Sequence, residues 1–424
     1  MRILQPLRDG AVAALWGGLA TAAIGDQLYT VALSWIAVAV FGTAAGYLGA
    51  LQAVVVLATA LLCGRWADRQ AHRPVMIAAD LVRATVLFLV VATWATLGYP
   101  PAWGLVLAVF VLAAGQAFFR PALQAIVPEL VTSFAMLPAT NALLDTTERI
   151  ARLLGPGLVA LLAASLPMMH FLSLDAATFL VSALAMLLIG RIRHFEVPSV
   201  IGRNAPIVAS MTRGFRAMWR HRLLAYVLLT CGVTNGAWYA AMFLGLPLMI
   251  DRMGIVGPGG TGLGAYGLVI STYGSTNLLT TLIVGGRNLP LRPARLMCSG
   301  NIIFGVGVAL LGGAMLLPLP ASARLPCLLV TAAFAAIGGP MSDITIATLR
   351  QTLLARGDIA PAMRAYMVMN NVGLLAAMLI APGGMDAFGI APVIVMCGTI
   401  VAVIGGIGLL RLAQSIPQPA VGTL

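Results

Sequence analysis

Lysine is absent from this 424-residue chain, so all 25 basic residues are arginine. A P-loop needs a lysine on its phosphates and a Schiff-base enzyme needs a lysine amine, so both mechanisms are excluded. Charge is scarce as well: 9% of the residues are charged, against roughly a quarter in an ordinary soluble domain. A soluble fold is excluded by that shortage. Acids are fewer still, 13 in all, which leaves a formal charge of +12. The arginines stand in short segments between apolar runs rather than on a soluble face, so they read as topology signals and not as a nucleic-acid surface.

Metal-ligand and catalytic patterns are missing too. Cys63, Cys231, Cys298, Cys327 and Cys397 lie in apolar surroundings with no CxxC pair, and are read as reduced thiols. His72, His170, His194 and His221 are dispersed with no spacing that joins them to the cysteines. No metal site and no cofactor is expected. The absence of HExxH and GxSxG weighs against a membrane-embedded lipid enzyme.

What the chain has in abundance is apolar length: 60% of it is hydrophobic. Runs long enough to cross a bilayer, about 20 residues each, fall at about 11–41, 46–64, 75–98, 102–125, 138–164 and 168–190, then 223–250, 263–284, 296–317, 325–349, 363–383 and 388–410. The expected fold is therefore an all-α membrane protein of twelve spans in two sets of six. The expected divisions are an N-terminal bundle at 1–192, a cytoplasmic basic linker at 193–222, a C-terminal bundle at 223–413 and a tail at 414–424. Arg2 and Arg8 before an apolar stretch imitate a secretory signal, but the stretch continues to Val40 and reads as the first span.

Arginine sets the orientation. With the N-terminus in the cytoplasm, alternate loops hold Arg65, Arg69 and Arg73, the central basic segment, then Arg287, Arg292 and Arg295, then Arg350, Arg356 and Arg364. The opposite loops hold Arg252 and Arg324. This positive-inside asymmetry places both termini in the cytoplasm of a bacterial inner membrane, in contact with its lipids. Gly262, Gly264 and Gly267 fit GxGxxG, but they open a span and Arg287 stands where an acid should be, so they are read as helix-packing glycines.

The segment Gly64-Arg-Trp-Ala-Asp68-Arg69-Gln-Ala-His72-Arg73 resembles the signature loop of the major facilitator superfamily, G-x-x-x-D-R-x-G-R-R. Glycine permits a tight turn there and Asp68 can pair with arginine, which is the chemistry of a cytoplasmic latch. Phe119-Arg120-Pro121-Ala122, Val127-Pro128-Glu129-Leu130-Val131, Asn141-Ala142-Leu143 and Arg152-Leu-Leu-Gly155-Pro156 follow the order seen in the macrolide-efflux and enterobactin-exporter branch. Thr212-Arg213-Gly214-Phe215-Arg216 resembles that branch's central loop. The resemblance implies alternating access between two pseudo-symmetric bundles and proton-coupled export of an amphipathic drug or siderophore, and a monomer is expected. An importer or facilitator of a small metabolite is the alternative within the same fold.

Intramembrane acids are functional candidates because they are costly there. Asp26 stands about 15 residues, roughly 22 Å, into the first span. Asp343 follows Gly338-Gly339-Pro340, which is expected to interrupt its helix, and Asp175 lies in the sixth span. These three are the candidate proton carriers. Asp145 with Arg149, and Glu148 with Arg152, are spaced for i,i+4 pairs on one helical face. Gln27, Tyr29, Gln52, Gln116, Asn235, Trp238, Tyr239, Asn277, Asn370 and Asn371 are expected at cavity depth, as amide and aromatic lining for a small organic substrate.

Overall fold

The computed structural model describes residues 2–62, 72–131, 136–192, 207–285 and 292–412, and all of the regular structure among them is helical. The helices are α1 (Gly10–Phe41), α2 (Gly46–Leu62), α3 (His72–Leu97), α4 (Ala102–Leu130), α5 (Leu137–Leu162) and α6 (Met169–Ile192). After these come α7 (Ile207–Trp219), α8 (Arg222–Arg252), α9 (Gly262–Gly285), α10 (Pro293–Ala314), α11 (Ala321–Leu353), α12 (Arg356–Phe388) and α13 (Ile390–Leu412). Among the described residues ten stretches are long and apolar enough to cross a membrane. One of them, Gly10–Thr59, runs through α1 into α2. Helix α5 is not among the ten, because Asp145, Glu148, Arg149 and Arg152 break its apolar character.

The chain divides into two compact units. Unit 1 comprises Met1–Phe41, Val54–Gly202 and Pro258–Gly267, and unit 2 comprises Gly42–Ala53, Arg203–Gly257 and Leu268–Leu424. Two of the divisions fall within helices, at Ala53/Val54 in α2 and at Gly267/Leu268 in α9.

In unit 1, α1 packs along α6 and α5, and α3 packs along α6 and α4. The seam on α1 is written in its sequence. Ala11, Leu15, Gly18, Ala22, Gly25, Tyr29, Ala32 and Ile36 are all buried and recur at alternating intervals of four and three, one stripe of a helix. Small residues dominate that stripe and let the α6 backbone approach closely, which is how apolar helices associate where lipid removes a hydrophobic driving force. Asp9 starts the helix, its Oδ1 accepting from the Ala11 N–H at 3.0 Å.

In unit 2, α10 packs on α11 and α13, and α12 packs on α8 and α7. The central segment adds a helix to its expected outline, and one further expectation needs correcting here. The segment read as a linker contains α7, whose Ala217 and Met218 are buried in a core with Leu223, Leu224 and Ala362. Its Arg213 Nε lies 2.6 Å from Asp358 Oδ1 at the start of α12. Hydrophobic periodicity along Ile207–Trp219 makes this an amphipathic helix with a partner. Against expectation, Gly338-Gly339-Pro340 does not interrupt α11, which runs unbroken from Ala321 to Leu353. The glycines serve packing instead: a side chain on Gly338 would collide with the backbone of Gly300 on α10. Helix α8 does depart from α geometry, with a π-helical turn at Ala240–Gly245. Pro247 follows and has no N–H to give to the carbonyl of Phe243.

Candidate functional site

Unit 1 contains a cavity of about 240 Å³ whose polar lining comes from four helices: Asp26 and Gln27 on α1, Asp80 and Arg83 on α3, Gln116 and Arg120 on α4, and Thr147, Glu148 and Arg152 on α5. Four of the residues expected at the site, Asp26, Gln27, Gln116 and Arg152, thus share one space. Phe119 on α4 and Phe179 on α6 supply apolar walls.

The centre of the site is Arg83, which is 3% exposed and ion-paired at 3.6 Å with Asp80, itself 1% exposed. Phe119 and Phe179 hold the guanidinium between them, with ring centroids 5.1 and 5.0 Å from Cζ. Such a sandwich stabilises a desolvated cation through the ring quadrupoles. Gly115 makes the placement possible, since a side chain there would collide with the Arg83 stem. The Asp80–Arg83 distance exceeds a hydrogen bond. Nε and Nη2 of Arg83 are buried without a hydrogen-bond partner in the structure, and both Asp80 oxygens lie beyond close hydrogen-bonding geometry, with the Ser182 hydroxyl beside them.

Asp26 is half-buried and turned to the cavity, whereas Asp175 is fully buried at the α1–α6 seam. The Thr178 hydroxyl donates to the Asp175 backbone carbonyl at 2.7 Å and approaches Asp175 Oδ1 at 3.4 Å, and Asp175 Oδ2 is left without a partner. Tyr29 is buried beside these acids, with its hydroxyl likewise unpartnered. Asp26, Asp80 and Asp175 all act electrostatically on Arg83. The sequence reading missed Asp80 and Arg83. Their signal was present, an acid and an arginine at i,i+3 inside the third apolar run.

The charged face of α5 is arranged differently from its spacing. Arg149 Nε does pair with Asp145 Oδ2 at 2.8 Å, both ends exposed. Glu148 instead reaches Arg120 on α4 at 3.4 Å, and Arg152 Nε rests on the backbone carbonyl of Glu148. A cross-helix partner has displaced the local one. Gly155 packs on Gln27, and the Pro156 carbonyl faces Gly267.

Gly64, Asp68 and Arg69 of the signature loop lie outside the described residues. Arg73 is described: its Nε donates to the Met186 carbonyl at 2.7 Å and its Nη2 to the Leu187 carbonyl at 3.2 Å, near the end of α6. Arginine suits that place because it complements the negative end of the helix and forks between two carbonyls. One residue earlier, His72 Nε2 stands 3.7 Å from Glu129 of the Val127–Val131 motif.

The remaining expected residues belong to unit 2 and do not join this cavity. Asn235 Nδ2 donates to the Asn370 carbonyl at 3.2 Å, and Asn371 Nδ2 donates to Met367 of its own helix at 2.9 Å. Trp238, Tyr239, Phe243 and Tyr273 form an aromatic cluster with centroids 4.8 to 6.3 Å from Trp238 for its three neighbours. Asn277 lies beside Tyr273 near Gly339. Asp343 is exposed on α11, within electrostatic reach of Tyr273, Tyr366 and Arg350, and Arg350 Cζ lies 4.3 Å from the Tyr366 ring. Gln52 is exposed on the part of α2 that groups with unit 2.

Comparison with known proteins gives a consistent answer. Residues 15–287 match the family described as Major Facilitator Superfamily. A Bacillus subtilis (strain 168) protein described as the uncharacterized MFS-type transporter YvqJ is 25% identical over 345 residues, covering 79% of this chain and 76% of that protein. Among solved structures, the nucleoside transporter NupG is similar with a TM-score of 0.71 at 11% identity, covering 94% of this chain and 98% of that one. An auto-inhibited POT family peptide transporter is similar with a TM-score of 0.69 at 13% identity, covering 98% and 99%. At these identities the structural likeness speaks for the fold alone.

Proposed function

This chain belongs to the Major Facilitator Superfamily and is a multi-pass membrane transporter rather than an enzyme, and from that premise we propose that it exports a small amphipathic organic molecule in exchange for protons. The observation that carries the reading is the half-buried carboxyl of Asp26 opening on a cavity that also holds a buried ion pair. A carboxyl group at such a place, with access to water in one state, is one chemical means of moving a proton through a bilayer. The chain has no lysine for a P-loop, which supports an ion gradient as the source of energy.

The working architecture is twelve spans in two sets of six with both termini cytoplasmic, α5 counting as a span despite its charges. Alternating access moves the substrate. Gly64, Asp68, Arg69 and Arg73 form the cytoplasmic latch, and Arg152, Gly155 and Pro156 shape access to the cavity. Motifs resembling the macrolide and enterobactin exporters favour export of a drug or siderophore over import of a metabolite. Proteoliposomes loaded with a fluorescent amphipathic dye or a catecholate siderophore test the direction. An imposed pH gradient should drive movement opposite to the proton, and movement in the same direction as the proton would establish import.

A further inference from the structure

We propose that the unit 1 cavity receives a dipolar ligand, a small molecule with separated positive and negative groups and no net charge, its cationic end at Asp26 and its anionic end at the arginines. This rests on the reading of the cavity as part of the transport site. The lining sets Arg83, Arg120 and Arg152 against Asp26, Asp80 and Glu148, a formal balance of three against three. Two of each sign are already matched, Arg83 with Asp80 and Arg120 with Glu148. Arg152 and Asp26 are left facing the same space with no ion-pair partner among the described residues.

A second, independent observation comes from deeper in the cavity. The Asp80–Arg83 contact is open at 3.6 Å, two nitrogens of Arg83 are buried without hydrogen bonds, and the Asp80 oxygens lie beyond close hydrogen-bonding geometry. Unmatched buried donors beside loosely held buried acceptors are completed by a ligand that offers both kinds of group. A ligand with net charge would leave one uncompensated ion in a partly desolvated, formally neutral space, and that is unfavourable. Phe119 and Phe179 give an apolar face to the ligand body. The space, about 240 Å³ and partly open, has room for the dipolar end of such a molecule while the rest of it extends outward.

The test uses the full chain in detergent and three matched probes: phenylalanine as the zwitterion, phenylalanine methyl ester as the cation and N-acetylphenylalanine as the anion. Calorimetric binding should favour the zwitterion over either relative by about tenfold or more, the scale of one partly buried charge pair. Asp26→Asn should shift the preference to the anion, and Arg152→Gln should shift it to the cation. Both substitutions are compatible with folding, since the first is isosteric and Arg152 is exposed. An identical rank order in all three proteins, a wild type that prefers the ester or the N-acetyl compound, or no binding of any probe would each overturn the proposal. The transport reading fails by a different result, unaltered proton-driven transport of the dye or siderophore in both variants.

Discussion

Gly25 on α1 stands against Asp175 on α6 so closely that a Cβ on Gly25 would lie 2.7 Å from Asp175 Oδ1, and it would also collide with the Thr178 hydroxyl. The seam therefore depends on a residue without a side chain at the depth where a buried acid sits. Gly25→Ala should destabilise the protein by about 1–3 kcal/mol, the usual penalty for overpacking. Gly17→Ala on the same helix faces open space and should be neutral or stabilising, because alanine is the better helix former by about 1 kcal/mol. Thermal unfolding in detergent separates the two signs. Equal midpoints would show that the seam is loose.

The Asp80–Arg83 pair makes a prediction about stability that differs from its prediction about function. Removing one partner leaves an uncompensated buried ion, so Arg83→Met or Asp80→Leu alone should cost about 3–5 kcal/mol. The double variant should recover most of that loss while remaining defective in transport. A double variant as unstable as the sum of the singles would mean that the two residues do not act as a pair.

Arg73 tests what the signature loop does at its described end. Arg73→Gln should lower stability by about 1 kcal/mol through the two lost carbonyl contacts, discounted for partial exposure. Arg73→Lys should restore little, because a single ammonium cannot fork between the Met186 and Leu187 carbonyls. Full rescue by lysine would reduce the role of Arg73 to its charge.

Much of this was legible in the sequence and the rest was not, for identifiable reasons. The α1 stripe of small residues and the apolar runs are local periodicities, and local periodicity survives folding intact. Asp26, Gln27, Gln116 and Arg152 were legible as polar residues in or beside apolar runs. Asp80 and Arg83 were passed over because a pair at i,i+3 hardly interrupts an apolar run, yet their burial between Phe119 and Phe179 makes them central. Glu148 was assigned to Arg152 by helix spacing and found Arg120 on α4, since spacing along one helix says nothing of the neighbour it meets. Pro340 read as a break, but a helix at this depth tolerates proline when adjacent helices support the backbone.

Orientation can be read directly. Reporter fusions after Ala45, Tyr99 and Asp251 should be periplasmic, and fusions after Gln70, Asn204 and Arg292 cytoplasmic, in keeping with the arginine asymmetry. The fusion after Tyr99 is the most informative structurally, since it falls in the short break between α3 and α4. A periplasmic signal after Asn204 would overturn the six-plus-six arrangement.

Energy coupling is the sharpest test, because the chain has no lysine for a P-loop of its own and an ion gradient is the proposed source of drive. If Asp26 carries the proton, it must take it up when the cavity opens to the more acidic side and release it toward the cytoplasm, and the substrate must be favoured in only one of those states. Asp26→Asn keeps the size and hydrogen-bonding capacity of the side chain and removes its titration. The variant should still bind a substrate that carries no cationic group and exchange it across proteoliposomes, since the cavity walls formed by Phe119, Phe179 and Gln116 are unchanged. Uphill accumulation driven by an imposed pH gradient should fall to the level of protein-free vesicles. Exchange and accumulation lost together would point to a structural defect at the α1–α6 seam, which a normal unfolding midpoint would exclude. Full gradient-driven accumulation by Asp26→Asn would remove Asp26 from the coupling step and pass the role to Asp175, the acid seated behind it.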